Sequence, residues 1–332
     1  MISERELISK IKQSAGCDSR LLKGIGDDCA VLTGQNSSRL RLISVDTLVE
    51  GVHFDLAWQA PADLGHKAAA VNISDISAMG GAPTFALLSI AAPATTRPAW
   101  LDDFMDGFLA ELAKYQITLV GGDTVASPGG LYFSITIMGE VEAEQVLYRS
   151  GAAAGDLVMV SGCLGDAAIG LEICRRARQE FRDTWPELAA AHLTPNPELA
   201  LGQLLSASGM VTAMLDMSDG LATDLAHLCE ASGLGAEVAA AQIPLSTAAS
   251  EASEAMKLDA LRLATTGGED YRLLFTCSPG HEEKLQKIAR DALGRQLFRI
   301  GKMVAGSGVN LFVKGKMSRI DFQGYDHFGV AN

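Results

Sequence analysis

The run Arg39-Leu40-Arg41-Leu42-Ile43-Ser44-Val45-Asp46-Thr47-Leu48-Val49-Glu50-Gly51-Val52-His53-Phe54 alternates apolar and polar residues at the period of a β-strand and is rich in branched side chains. Asp46 falls in its middle, where an unpaired buried carboxylate would be costly, so this strand predicts a ligand that compensates the charge. After it, residues 61–81 open on Pro61 and Asp63, close on Gly80-Gly81, and keep Leu64, Ala68, Val71 and Met79 at helical spacing. That helix places Asn72 and Asp75 on one face. A second helix is expected from about Leu101 to Tyr115. Ile117 to Val120 reads as a short buried strand that stops at Gly121-Gly122-Asp123, and Leu131 to Val141 as another strand. Strands alternating with helices indicate an α/β (α+β) protein.

The pattern restarts beyond the small-residue stretch after Tyr148-Arg149-Ser150-Gly151, so the chain divides into an N-terminal domain, residues 1–148, and a C-terminal α/β domain, residues 149–332. A length of 332 residues exceeds what one hydrophobic core normally organises, which agrees with two domains. Leu157 to Ser161 is a predicted strand, and a turn through Asp166 leads into a helix from Ala167 to Arg178. Residues 179–197, polar and holding Pro186, Pro195 and Pro197, look like a surface connection. Asp216-Met217-Ser218-Asp219-Gly220 precedes a helix ending at Gly233, with Ser218 or Asp219 as its N-cap. Thr265 to Asp270 leads into a strand over Tyr271 to Thr276.

Five short segments set aspartate beside glycine or small polar residues: Gly26-Asp27-Asp28, Ser44-Val45-Asp46-Thr47, Asn72-Ile73-Ser74-Asp75, Gly121-Gly122-Asp123-Thr124 and Asp216 to Gly220. Carboxylates in tight loops suit hard divalent cations such as Mg²⁺, and several such ions usually accompany a polyphosphate. With 27 Lys plus Arg against 40 Asp plus Glu, a net charge of −13, the chain lacks the basic field of a nucleic-acid binder. An acidic site holds ATP when metal ions stand between carboxylates and phosphates. The six cysteines are scattered without Cys-x-x-Cys or zinc-like spacing and read as reduced, mostly buried thiols. No apolar run approaches the roughly 20 residues that cross a bilayer, and the first residues lack a signal-peptide core. The expectation is a cytoplasmic enzyme.

Singly, most of these segments are explained by turns and helix caps, and capping alone could account for Asp166 and Asp219. Asp46 and Asp75 stand apart because each interrupts a regular apolar pattern. His53 is either a packed strand residue or a ligand-site residue, and Arg149 either an exposed charge or a fork for phosphate oxygens. Gly324-Tyr325-Asp326-His327-Phe328 is either a docked chain end or an aromatic lid over a cationic ring. The sequence carries no Gly-x-x-x-x-Gly-Lys-Ser/Thr loop, no kinase His-Arg-Asp set and no Gly-x-Gly-x-x-Gly fingerprint, so the common nucleotide folds are disfavoured.

In order, Gly24-Ile25-Gly26-Asp27-Asp28-Cys29-Ala30, Ser44 to Phe54, and Lys67-Ala68-Ala69-Ala70-Val71-Asn72-Ile73-Ser74-Asp75 closely resemble the thiamine-monophosphate kinase family. Gly121 to Thr124, Arg149-Ser150-Gly151, Asp216 to Gly220, Gly267-Gly268-Glu269-Asp270-Tyr271 and Gly324 to Phe328 continue that pattern along essentially the whole chain. The resemblance implies the two-domain aminoimidazole ribonucleotide synthetase-like fold and a homodimer formed through the N-terminal sheets. It also implies Mg²⁺-dependent transfer of the γ-phosphoryl group of ATP directly to thiamine monophosphate. By matching motif, Asp28, Ser44, Asp46, Asp75, Asp123, Asp216 and Asp219 are expected to hold magnesium. Gly122, Asp123, Arg149 and Ser218 are expected to contact ATP, and His53, Glu269 and Tyr325 to line the thiamine phosphate site. Asp46, Asp75 and Asp123 are the expected catalytic carboxylates. Val45 departs from the threonine of many members.

The acceptor of that reaction is a phosphate oxygen already ionised at neutral pH, so catalysis reduces to alignment and charge neutralisation without a general base. The alternatives are a related ATP-dependent synthase, for which Cys17 in Gly16-Cys17-Asp18 is a poor match to the reactive cysteine of selenophosphate synthetases, and a non-catalytic nucleotide or metal sensor.

Overall fold

The computed structural model describes residues 4–16, 18–34, 38–176 and 179–324, so Tyr325, expected at the acceptor site, lies outside the described residues. The first part of the chain runs α1 (Glu4–Ser14), β1 (Leu21–Lys23), β2 (Ala30–Thr33), β3 (Arg39–Val49), α2 (Pro61–Ala78), β4 (Ala82–Ala92), α3 (Pro98–Lys114), β5 (Thr118–Ala126) and β6 (Tyr132–Glu142). Its six strands form one sheet in the order β1-β2-β3-β6-β4-β5, antiparallel except for the pair β4 and β5. The β3 alternation sends Leu40, Leu42 and Leu48 into the core, and α2 and α3 cover that face. Phe104 of α3 stacks on Phe133 of β6 with ring centroids 4.1 Å apart. The two helices touch along glycines. A Cβ on Gly65 would stand 2.0 Å from the Phe104 carbonyl oxygen, and one on Gly107 would stand 2.0 Å from that of Ala62.

After a loop, the second part runs β7 (Leu157–Val160), α4 (Asp166–Arg175), α5 (Gln179–Thr184), α6 (Pro186–Leu193), α7 (Leu199–Ala207), β8 (Val211–Asp216), α8 (Leu221–Ser232) and β9 (Gly235–Ala239). It continues with α9 (Thr247–Met256), α10 (Ala260–Thr266), β10 (Leu273–Cys277), α11 (Glu282–Leu293), β11 (Phe298–Val304), β12 (Gly308–Val313) and β13 (Lys316–Arg319). The seven-stranded sheet has the order β13-β12-β9-β11-β7-β10-β8, parallel only between β12 and β9. The protein is thus a two-sheet α/β molecule, each sheet with its own apolar core. Cys29, Cys174, Cys229 and Cys277 are buried free thiols, and Cys163 is a half-buried one. No helix among the described residues is long and apolar enough to cross a membrane.

Three local expectations are corrected. The strand predicted to stop at Gly121 continues as β5 through Gly121, Gly122 and Asp123 to Ala126. It is an exposed edge rather than a buried strand. Parallel pairing with β4 supplies the hydrogen bonds that hold the glycines extended, and a Cβ on Gly122 would meet the Leu88 carbonyl oxygen at 1.8 Å. Residues 179–197 form two helices rather than a surface connection, with Trp185 and Leu188 packed on Ile169 and Ile173 of α4. Finally, neither Ser218 nor Asp219 caps α8. Gly220 occupies that position with φ +104°, and the carboxylate of Asp224, inside the helix, accepts the N–H groups of Gly220 at 2.9 Å and Asp219 at 3.2 Å.

Candidate active site

The pleat of β3 that buries Leu42 and Leu48 also turns Ser44 and Asp46 toward α2. On α2, the face that packs on the sheet carries Asp75, and Ser44 Oγ donates to Asp75 Oδ2 at 2.5 Å. The end of β8 delivers Asp216, and the loop before β2 delivers Asp28. Asp28, Asp75 and Asp216 each offer a carboxylate oxygen, and all three oxygens lie within 4.8 Å of one another. Four segments distant in sequence therefore converge on one acidic point between the two sheets.

Burial and mutual repulsion penalise these charges. Asp28 is pushed up to about 7, first by burial and then by Asp216 and Asp27, against the opposing pull of Arg149. Asp46 rises to about 6 through burial and the charges of Asp219 and Asp28. Asp216 also rises to about 6, chiefly through burial. Asp75 is raised well above the usual carboxylate range by burial and by Asp46, Asp216 and Asp28. The Arg149 guanidinium reaches Asp28 Oδ1 through Nε at 2.9 Å and Nη2 at 2.5 Å, and its backbone N–H donates to Asp27 Oδ1 at 3.1 Å. Asp28 Oδ2 is buried and receives no hydrogen bond. Hard, crowded oxygens with one left orphaned fit a divalent cation of the Mg²⁺ type.

Beside this cluster, the loop over residues 267–271 lies against residues 216–220. Glu269 N–H donates to Ser218 O at 2.7 Å and Tyr271 N–H to Met217 O at 2.9 Å, with Glu269 at φ +69° and Tyr271 at φ +47°. Ser218 itself is exposed. The Glu269 carboxylate meets Lys67 Nζ at 2.6 Å and His192 Nδ1 at 2.9 Å. Lys67 Nζ also donates to the His53 carbonyl at 3.4 Å, so His53 and Glu269, both expected at the acceptor site, share one buried lysine. His53 Nδ1 accepts the Val49 N–H at 3.0 Å, which leaves the proton of the neutral ring on Nε2.

Gly122 and Asp123 stand elsewhere. In the sheet register Asp46 shares a row with Ile135, Leu88 and Gly122, whereas Asp123 shares the next row with Ser89, Ser134 and Thr47. Asp123 is therefore on the opposite, exposed face, three strand spacings or roughly 14 Å across the sheet. Val45 also points to that outer face at 59% exposure, so its replacement of threonine puts no side chain into the carboxylate cluster.

Residues 26–141 match the family described as AIR synthase related protein, N-terminal domain, and residues 153–314 match its C-terminal domain. The thiamine-monophosphate kinase of Salmonella typhimurium is 41% identical over 309 residues, covering 92% of each chain. The Bacillus subtilis thiamine-monophosphate kinase is 34% identical and covers 98% of this chain and 100% of its own. The chain belongs to the thiamine-monophosphate kinase family. It is accordingly an enzyme of the kinase class. Among solved structures, AaThiL complexed with AMPPCP and TMP aligns with a TM-score of 0.86 at 32% identity, covering 98% of this chain and 97% of that one. Thiamine-monophosphate kinase from Stenotrophomonas maltophilia K279a aligns at 0.77 with 35% identity, covering 94% and 96%.

Reading the sequence alone does not single out Lys67, His192, Asp27 and Asp224. Lys67 carries a signal: it is a charge inside the apolar run of α2, and at 1% exposure it needs a buried partner. Asp224, 4% exposed, is hidden in sequence because it sits one turn inside α8, where an acidic residue is an ordinary helix-start preference.

Proposed function

We propose that this enzyme transfers the γ-phosphoryl group of ATP to thiamine monophosphate, in line and without a phosphoenzyme, giving ADP and thiamine diphosphate in a Mg²⁺-dependent reaction. The observation that carries the reading is the convergence of Asp28, Asp75 and Asp216 within 4.8 Å, next to Arg149 and one loop away from Glu269. The relatives named above support the substrates, and the complex with AMPPCP and TMP supports binding of both a nucleotide and an acceptor.

Asp28, Ser44, Asp46, Asp75, Asp216 and Asp219 would hold magnesium, which when bound neutralises phosphate charge and the repulsion among these carboxylates. Asp123 would hold magnesium as well and act with Asp46 and Asp75 as the catalytic carboxylates, and Gly122 beside it would contact the nucleotide. Arg149 presents a planar fork suited to phosphate oxygens, and Ser218 sits at the exposed end of its loop. His53 donates from Nε2 toward the acceptor phosphate, and Glu269 faces the heterocycles together with Tyr325. No residue is required as a base, because the attacking oxygen is already ionised.

Val45, Phe85, Tyr132 and Val125 project together from the outer face of the N-terminal sheet at 59, 46, 39 and 52% exposure. A second copy packed on this face would bury them, which supports a homodimer. The domain division is placed at residues 148 and 149, so that Arg149 opens the second domain.

The test is ADP release measured with and without thiamine monophosphate, with Mg²⁺ or EDTA, and with thiamine as a control acceptor. ADP formed only with Mg²⁺ and the monophosphate supports the reading. Nucleotide hydrolysis indifferent to the acceptor overturns it.

A further inference from the structure

The geometry points to Lys67 and His192 as positioning residues for the acceptor substrate, holding the Glu269 carboxylate in place from two different parts of the chain. This deepens the proposed function and rests on it. Lys67 comes from α2 under the N-terminal sheet, His192 from α6, and Glu269 from the loop before β10. Each Glu269 oxygen has its own buried neighbour, Lys67 Nζ at 2.6 Å on Oε1 and His192 Nδ1 at 2.9 Å on Oε2. Lys67 and His192 are 1% and 3% exposed, while the Glu269 side chain keeps 24% of its surface open. The carboxylate is thus gripped from behind and open in front.

The arrangement does something that Glu269 could not do alone. Burial by itself would drive that carboxyl to its neutral form, and Lys67 followed by His192 reverses this and holds it well below the usual range. An ionised carboxylate accepts hydrogen bonds from an aminopyrimidine at either oxygen and attracts a thiazolium cation, whereas a neutral acid accepts weaker bonds and offers the cation no charge. Lys67 also holds the carbonyl of His53 at 3.4 Å, so one ammonium fixes both groups expected on the acceptor. The backbone of Glu269 is tied to Ser218 O at 2.7 Å, and a Cβ on Gly268 would stand 2.4 Å from that same oxygen. The acceptor and nucleotide loops are therefore joined backbone to backbone.

The helix that supplies His192 is itself clamped to α2 and to the residues just before it. Gln59 Nε2 donates to Leu193 O at 3.0 Å, and His66 Nε2 lies 2.9 Å from Pro195 O. His192 is held neutral by burial and by the Lys67 charge beside it. Its Nδ1 lies 2.9 Å from Glu269 Oε2. Residues 179–197 thereby gain a role, placing a polar side chain behind the acceptor site.

The experiment is steady-state kinetics of the full-length enzyme with Lys67→Met, Lys67→Arg, His192→Leu and His192→Gln, varying ATP and thiamine monophosphate separately. Loss of a charged hydrogen-bond partner predicts a rise of about 10- to 100-fold in acceptor KM for Lys67→Met, with ATP KM nearly unchanged. Lys67→Arg is expected to recover part of that loss, and His192→Gln to lie closer to wild type than His192→Leu. If Lys67→Met does not fold, the His192 pair gives the same discrimination. Variants that lose thermal stability but keep the acceptor KM, or that raise both KM values equally, overturn the inference. A wild type that binds ATP yet phosphorylates no thiamine monophosphate overturns the functional reading instead.

Discussion

Replacing Asp216 with asparagine should make the metal-free protein more stable while disabling it. Asp216 is 4% exposed and its carboxyl is raised from 3.8 to about 6, mainly by burial and with Asp46 and Asp219 adding repulsion. At about 1.36 kcal/mol per tenfold change in proton affinity, an ionised Asp216 costs the folded state up to about 3 kcal/mol. A folded pKa above the unfolded one means the cost is absent below 3.8, develops as pH rises toward 6, and is complete above it. The asparagine side chain carries no charge, and after its own burial penalty a net gain of about 1–2 kcal/mol remains near neutral pH. At about 2–4 °C per kcal/mol for a protein of this size, the melting temperature in EDTA should rise by about 2–8 °C. Excess Mg²⁺ should close or reverse the gap, since binding at about 100 times Kd adds about 2.7 kcal/mol to wild type and less to a variant missing a ligand. Differential scanning calorimetry of both proteins, in EDTA and in Mg²⁺, near pH 4 and near pH 7.5, measures the gain, its pH dependence and its loss on adding metal. A lower melting temperature for Asp216→Asn in EDTA would show that its buried charge is not destabilising, and an equal Mg²⁺ shift in the two proteins would remove Asp216 from the metal site.

Other expectations follow from the same geometry. Asp123→Asn, on the exposed face of β5, should leave the EDTA melting temperature within about 1 °C of wild type, because no buried charge is relieved; a rise like that of Asp216→Asn would place Asp123 in the buried cluster. Arg149→Lys keeps a charge but loses the two-nitrogen grip on Asp28, so ATP affinity should fall by about tenfold or more by isothermal titration. Unaltered affinity would remove Arg149 from the nucleotide site. Phe85→Glu with Val125→Lys should convert the proposed homodimer to a monomer in analytical ultracentrifugation, and a dimer that persists would move the interface elsewhere.

The sheet that carries the site is legible in the sequence because β3 keeps a period of two, and the polar Ser44 and Asp46 on its apolar face stand out as misplaced without a ligand. The helix bearing Asp75 is legible for a similar reason, its Pro61 start and glycine stop being local signals. Local reading fails where a distant partner decides the outcome. Glycines that would punctuate a chain locally are held in β5 by pairing with β4, a neighbour no local pattern supplies. The cap of α8 is hidden because Asp224 folds back from inside the helix and outcompetes Ser218 and Asp219. Residues 179–197 look polar on average, yet Trp185, Leu188 and His192 point inward from helices too short to show a period. The contact among Lys67, His192 and Glu269 joins three segments far apart in sequence, and only Lys67 visibly breaks its local pattern.

In the proposed function the crowded carboxylates bring two anionic substrates together for direct phosphoryl transfer. Phosphorus-31 NMR of the purified enzyme with ATP, Mg²⁺ and thiamine monophosphate tests it most directly. The monophosphate resonance is expected to be replaced by the paired resonances of thiamine diphosphate, with ADP appearing in equal amount and no inorganic phosphate. ADP accompanied by inorganic phosphate, with the thiamine monophosphate signal unchanged, would contradict it.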